Sequence, residues 1–192
     1  MRRVTATIMA FIATTPCAHA EIFKLAVPSD DGISLVWWPI VTTPPGWTHD
    51  EEASRYFAVN MLIPRGTSFA DAPVVMYAKA SYKPRTPDTH TVAELIQQDI
   101  TEHKANVSGV VATALQPIRS GDGKALPYYR FSPPGDGAFE LVAYGEEGDY
   151  FLLFVVSAQS EAALTEASRK FETMISRYSE RPNKSLERSR DR

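Results

Sequence analysis

The stretch "AFELVAYGEEGDYFLLFVVSAQSEAALTEASRKFETMISRY" (residues 138–178) determines the fold class that the sequence predicts. It opens with two apolar segments, "AFELVAYG" and "DYFLLFVVSA", on either side of a turn at residues 145–148, and this pattern predicts a β-hairpin. The second segment is an almost unbroken apolar run, which is typical of a strand in the middle of a sheet with both faces covered.

The hairpin is followed by an amphipathic helix. Ser160 is of a residue type favoured at helix N-caps. Beyond it, apolar side chains recur at steps of three and four: Leu164, Ala167, Phe171, Met174 and Tyr178. Such a stripe can form a seam with a partner helix, but a single amphipathic helix at the end of a domain usually packs on its own sheet. We therefore predict that this helix belongs to the core.

Earlier segments supply the remaining elements. Alternating apolar residues predict strands at "IFKLAV", "ISLVWW", "YFAVNMLIP" and "VVMYAKASY". Thr91 and Glu94 have the spacing of a capping box, which predicts a helix through about Ala105. The strands "VVATALQPI" and "ALPYYRFS" then precede the hairpin. This order predicts an α+β fold, with a largely antiparallel central sheet flanked by helices.

The N-terminus has the pattern of a secretory signal. A basic start, "MRR", precedes the short apolar segment "VTATIMAFIATT" and the small residues of "CAHA", so we expect cleavage after Ala20. Lipid anchoring at Cys17 is the alternative, but Thr14, Thr15 and Pro16 do not form a lipobox. Cleavage removes the only cysteine, and an exported domain without disulfides fits a bacterial periplasm.

Composition and charge limit the classes of function. The 192 residues are 44% hydrophobic and 22% charged, which is typical of one globular domain. Residues 21–179 contain 13 Lys and Arg against 20 Asp and Glu, a net charge of −7, which argues against nucleic-acid binding. No later segment is long and apolar enough to span a membrane. Residues 180–192, "ERPNKSLERSRDR", contain one aliphatic residue, and we predict a disordered tail.

Three stretches resemble the PsbP-like family, which includes DcrB-type envelope proteins. They are "RYFAVNMLIPRG", "IRSGDGKALPYYRFS" and the hairpin with its terminal helix, so the resemblance covers about residues 55–178. It implies a central antiparallel sheet between helices in a non-enzymatic accessory or binding protein. We therefore expect a PsbP-like domain at residues 55–179 and an N-terminal extension, with two strands and a Trp-rich loop, at residues 21–54.

Motifs for catalysis, metals or cofactors are weak. His49 is followed by three acidic residues, but neighbouring loop residues seldom converge on one ion, and no zinc or calcium spacing occurs. "SGDGK" lacks the spacing of a phosphate-binding loop, and no nucleophile elbow is present. His103 lies in the last turn of its helix, where a cation is favoured, and this structural role is preferred to a site. We predict no metal and no cofactor.

All three tryptophans lie in the predicted extension. Trp37 and Trp38 are neighbours in a strand and must point to opposite faces; the pattern indicates core for Trp37 and a half-exposed or covered position for Trp38. Trp47 follows "PPG" in a loop, where it can anchor a partner or close the end of a small core. Thr48 and Glu51 have capping-box spacing for a short helix through Tyr56. The predicted partner-binding residues are Trp38, Trp47, His49, Asp50, Glu51 and Glu52.

These observations predict an exported binding or accessory protein that acts through a protein partner in the cell envelope. A basic partner fits the acidic domain, as for an inhibitor or immunity protein. Two alternatives stay open: an envelope hydrolase with a dispersed active site, and a structural subunit of an envelope assembly. A cleft with convergent titratable groups would favour the enzyme, and an exposed acidic and aromatic surface would favour the binding protein.

Overall fold

The computed structural model describes residues 22–29, 32–135 and 137–179. The predicted signal segment at residues 1–20 and the predicted tail at residues 180–192 lie outside these ranges. Within them, the helices and strands run in this order: β1 Ile22–Ser29, β2 Gly32–Pro39, β3 Trp47–His49, α1 Glu51–Phe57, β4 Asn60–Pro64, β5 Val74–Tyr82, α2 Val92–Asn106, β6 Val111–Ala114, β7 Ile118–Arg119, β8 Ala125–Leu126, β9 Tyr128–Ser132, β10 Phe139–Glu147, β11 Tyr150–Ala158 and α3 Glu161–Ser176.

Seven strands form one sheet in the order β3-β4-β5-β11-β10-β9-β6, and every neighbouring pair is antiparallel. Two small pairs, β1–β2 and β7–β8, lie outside it. The predicted α+β class is confirmed. None of the helices in the described ranges is long and apolar enough to cross a membrane.

The predicted hairpin is β10–β11, and β11 is the central strand of the sheet. Its even-numbered side chains Leu152, Phe154 and Val156 enter one core, which α3 covers. On the opposite face, Val155 enters a second core beneath α2. The unbroken apolar run is thus explained by burial on both sides, as its sequence predicted.

The last helix packs on the sheet, as predicted. The Ser160 hydroxyl accepts a hydrogen bond from the Ala163 amide at 3.2 Å and starts α3. The predicted stripe is buried, and Phe171 is completely inaccessible to solvent. Helix α2 has the predicted capping box, in which Thr91 and Glu94 bond reciprocally to the backbone.

The segment "YFAVNMLIP" differs from its prediction as one strand. Helix α1 continues through Phe57, Ala58 adopts a left-handed conformation with φ of 55°, and β4 begins only at Asn60. The alternation of apolar residues therefore crosses a helix end, where the Val59 amide donates to the Ser54 carbonyl. Because β3 pairs with β4, the predicted extension contributes a strand to the main sheet.

The N-cap of α1 also differs from its prediction. Asp50, not Thr48, caps the helix, since its carboxylate accepts a hydrogen bond from the Ala53 amide at 2.9 Å. Thr48 lies in β3, opposite Ile63 of β4. Strand pairing at this position excludes Thr48 from the cap.

Asp50→Ala is expected to lower the free energy of unfolding by about 1 kcal/mol, the usual effect of deleting an N-cap side chain. Asp50→Asn is the matched control and should stay close to the wild type, because Asn caps helices about as well as Asp. Urea denaturation of the three proteins measures the difference. Equal losses for both variants would show that the negative charge, rather than the cap, is what matters.

Candidate functional site

Trp47 lies in the core, not in an exposed loop. Its side chain is 4% exposed and packs in the α3-side core with Val41, Leu62 and Val74. Gly46, with φ of 83°, makes the turn that leads into β3, and its carbonyl accepts from the Arg65 amide at 2.9 Å. The prediction that Trp47 presents a surface to a partner is therefore wrong, because β3 joins the sheet edge and directs the indole inward.

Trp37 packs against the α3-side core, as predicted, and Trp38 takes the covered one of its two predicted positions. Trp38 is 6% exposed and its ring lies 5.3 Å from Phe23 across the β1–β2 pair. Trp37 is only partly buried, and its ring contacts Tyr82 at 5.5 Å. The Arg85 guanidinium lies 5.0 Å from the Trp37 ring centre, a cation–π distance. At 6% exposure Trp38 offers little surface to a partner, so its predicted role as a partner-binding residue does not fit this burial.

His49 and Asp50 make bonds within the protein. The His49 Nε2 lies 2.9 Å from the Ser54 hydroxyl, which also bonds to the Asp50 carbonyl at 2.5 Å. The same hydroxyl accepts from the Met61 amide at 2.9 Å. These contacts join α1 to β4. Asp50 in turn is committed to the helix cap.

Glu51 and Glu52 are the two predicted residues whose side chains face solvent without a buried partner. Glu51 forms a loose ion pair with Arg55, one turn along α1, at 3.5 Å. Of the six predicted partner-binding residues, these two keep an exposed acidic position that a partner can reach. The other four are buried or bonded internally.

The sequence prediction missed an exposed aromatic cluster beside these carboxylates. Tyr56 is 82% exposed, Phe57 44% and Phe69 37%. The Tyr56 and Phe57 ring centres are 4.8 Å apart, and those of Phe57 and Phe69 are 4.9 Å apart. We call these three side chains the aromatic surface. The sequence already predicts a short helix through Tyr56, but the overlapping strand pattern from Tyr56 onward hides the exposure of the rings.

The aromatic surface continues into an open cleft of about 730 Å³. Phe69 belongs to both. The cleft lies between the segment that precedes β5 and the first turn of α3, and its apolar wall contains Phe69, Ala72, Val75, Ala138, Phe139 and Ala158. Such an apolar cleft can accept a side chain of a bound segment.

A polar cluster lies between α2 and the sheet, which we call the His103 network: Asp99, His103, Glu140 and Tyr144. The His103 Nε2 donates to Glu140 at 2.9 Å, and its Nδ1 donates to the Asp99 carbonyl oxygen at 2.9 Å and lies 3.5 Å from the Asp99 carboxylate. The Tyr144 hydroxyl donates to the same carboxylate. The imidazole stacks on Phe131 at 4.0 Å.

The imidazole of His103 is a positively charged donor in this network rather than a neutral base. Hydrogen bonds to Asp99 and Glu140 raise the pKa of His103 from 6.5 to about 10. Burial, followed by the bond to Asp99, raises the pKa of Tyr144. At neutral pH the imidazole is therefore protonated and cannot accept a proton from a substrate. The predicted role of His103 as a cation near the helix end agrees with this geometry, although its partners were not foreseen.

Comparisons with known proteins bear on the fold. No family model and no curated protein matches the sequence. The chain is similar to the crystal structure of a protein of unknown function from Pseudomonas aeruginosa, with a TM-score of 0.50 and 11% sequence identity, over 86% of this chain and 100% of that chain. At this identity the likeness supports the α+β architecture and carries no function.

Proposed function

We propose that this protein is an exported, periplasmic and non-catalytic binding or accessory protein that recognises a protein partner through the aromatic surface. The observation that carries the proposal is the contact among three exposed aromatic rings, those of Tyr56 and Phe57 on α1 and that of Phe69. Single exposed apolar residues are common, whereas a contiguous aromatic patch beside charge is the usual composition of an interface. Export rests on the signal pattern of residues 1–20.

The energetics of folding do not account for the aromatic surface. A Tyr that is 82% exposed gains little from burial in the folded chain, so its large ring is retained at little benefit to stability. A partner that covers the three rings would bury their exposed apolar area. A few such aromatic anchors carry most of the binding energy of an interface.

One specific observation favours the hydrolase alternative: the contact between Ser54 and His49. The Ser54 side chain is 1% exposed, and its oxygen is already bonded to two backbone groups. A nucleophile must reach its substrate, so this hydroxyl fits the junction of α1 and β4 better than catalysis. The described residues contain no cluster of His, Asp or Glu that could hold a metal ion.

Site-specific photo-crosslinking in the native envelope tests the proposal. A photo-reactive phenylalanine analogue at Tyr56 is expected to form a crosslink to a defined protein. The same analogue at Glu166, an exposed position of α3, is the control and should form none. Both replacements should change stability by less than about 0.5 kcal/mol, since both positions are exposed. Equal crosslinking at the two positions, or none at Tyr56, would contradict recognition through the aromatic surface.

A further inference from the structure

We propose that the aromatic surface selects an extended segment of a partner protein that carries Lys or Arg, followed two residues later by an apolar side chain. This inference rests on the proposed function and names the chemistry of the partner. It depends on the placement of Glu52 and Tyr56 for the cation, and of Phe57, Phe69 and the cleft for the apolar side chain.

Glu52 and Tyr56 form a site for a cationic side chain. They are four residues apart on α1 and therefore lie on the same face of the helix. Both are exposed, and Glu52 makes no ion pair within the part of the chain that the structure describes. Glu51, by contrast, already contacts Arg55. A Lys or Arg over the Tyr56 ring would gain a cation–π contact and the Glu52 carboxylate together.

Phe57 and Phe69 form the neighbouring site for an apolar side chain. Successive ring centres from Tyr56 through Phe57 to Phe69 are 4.8 Å and 4.9 Å apart. In an extended segment, side chains two residues apart share one face and are about 6–7 Å apart. A cation above Tyr56 therefore places the apolar side chain against Phe57 and Phe69, at the mouth of the cleft.

The charge of the domain favours the same partner. Residues 21–179 have a net charge of −7, so the field of the protein attracts a basic segment and repels an acidic one. Such a field mainly raises the association rate, whereas the aromatic contacts limit dissociation.

Selection from a displayed library of random peptides tests the inference, with the purified exported chain as the probe. Recovered peptides are expected to share Lys or Arg with an apolar residue two positions later. Their affinity should fall about three- to fivefold for Glu52→Gln and for Tyr56→Leu, and about tenfold for the double variant. Glu51→Gln is the matched control, and Tyr56→Phe keeps the ring, so both should stay within about twofold of the wild type.

Three outcomes would overturn the inference: no enriched peptide, peptides without a cation, or cationic peptides that bind the double variant as well as the wild type. If the recovered peptides lack a cation but lose affinity for the Phe57→Ser variant, the inference of a cationic partner is wrong and the aromatic surface is still a binding site. Absence of a crosslink at Tyr56 would instead contradict the proposed function itself.

Discussion

Phe171→Ala is expected to lower the free energy of unfolding by about 3–5 kcal/mol, the usual cost of truncating a buried Phe. The ring has no exposed surface and lies in the core between α3 and the sheet, 6.4 Å from the Tyr128 ring. Removing it leaves a cavity that the strands of a seven-stranded sheet cannot close without breaking their pairing. Chemical denaturation, followed by far-UV circular dichroism, measures the loss.

Lys170→Ala is the control for this substitution. Lys170 is the preceding residue of α3 and is exposed, so its loss should change stability by less than about 0.5 kcal/mol. A loss below about 1 kcal/mol for Phe171→Ala would place the ring at a surface and restore the alternative of a partner-helix seam. Such a result would also weaken the assignment of the aromatic surface as the place where partners bind.

The elements that the sequence predicted correctly depend on local signals. The β10–β11 hairpin and α3 have apolar periodicities that only one burial pattern satisfies. The caps at Thr91 and Ser160 are bonds between residues three positions apart, so both partners are visible in the sequence. Such features are determined within one element and do not require knowledge of its neighbours.

Trp47 was placed incorrectly as a partner-binding residue because its environment is set by distant residues. Trp47 becomes core only when β3 pairs with β4, and no local pattern of a three-residue strand predicts that pairing. Alternation alone left Trp38 either half-exposed or covered, and its pairing with β1, which brings Phe23 against its ring, decides for the covered position. The exposed rings were missed for a local reason, since α1 ends at Phe57 inside an apparently continuous strand pattern.

The His103 network also lay beyond sequence reasoning. His103 and Asp99 are one helical turn apart, but Glu140 is 37 residues away on β10. Only the antiparallel register that places Glu140 opposite Phe131 brings the carboxylate to the imidazole. The sequence indicated that a cation at this helix end is favoured, and the sheet supplies Glu140 as a second acidic partner beside Asp99 of α2.

Replacing His103 with Gln is expected to lower the free energy of unfolding by about 2–4 kcal/mol at pH 6. Removing one partner of a buried ion pair costs about 3–5 kcal/mol, and the 25% exposure of the His103 side chain reduces this value. The variant leaves Asp99 and Glu140 close together without the cation. His90→Gln, an exposed histidine replaced in the same way, is the control and should lose less than about 0.5 kcal/mol.

The difference in stability between the wild type and His103→Gln should depend on pH in a defined direction. The folded pKa of His103, about 10, lies above its ordinary value of 6.5, so the stabilisation is complete below about pH 6.5. It is lost progressively as the pH rises from about 6.5 through 10, because over this range the unfolded chain has released a proton that the folded imidazole still holds. Urea melts of both proteins at pH 6, 8 and 10 should show the difference shrinking steadily. Titrating groups outside the His103 network have the same surroundings in both proteins, so their contributions cancel in this comparison.

The same measurement tests whether His103 could serve the hydrolase alternative as its base. A difference that shrinks means an imidazolium held between two carboxylates, which fastens α2 to the sheet and cannot itself serve as a base for hydrolysis. A difference that stays constant from pH 6 to pH 10 would mean a neutral imidazole in the folded protein. His103 would then be able to accept a proton, and the hydrolase alternative would gain the base that the Ser54–His49 pair does not provide.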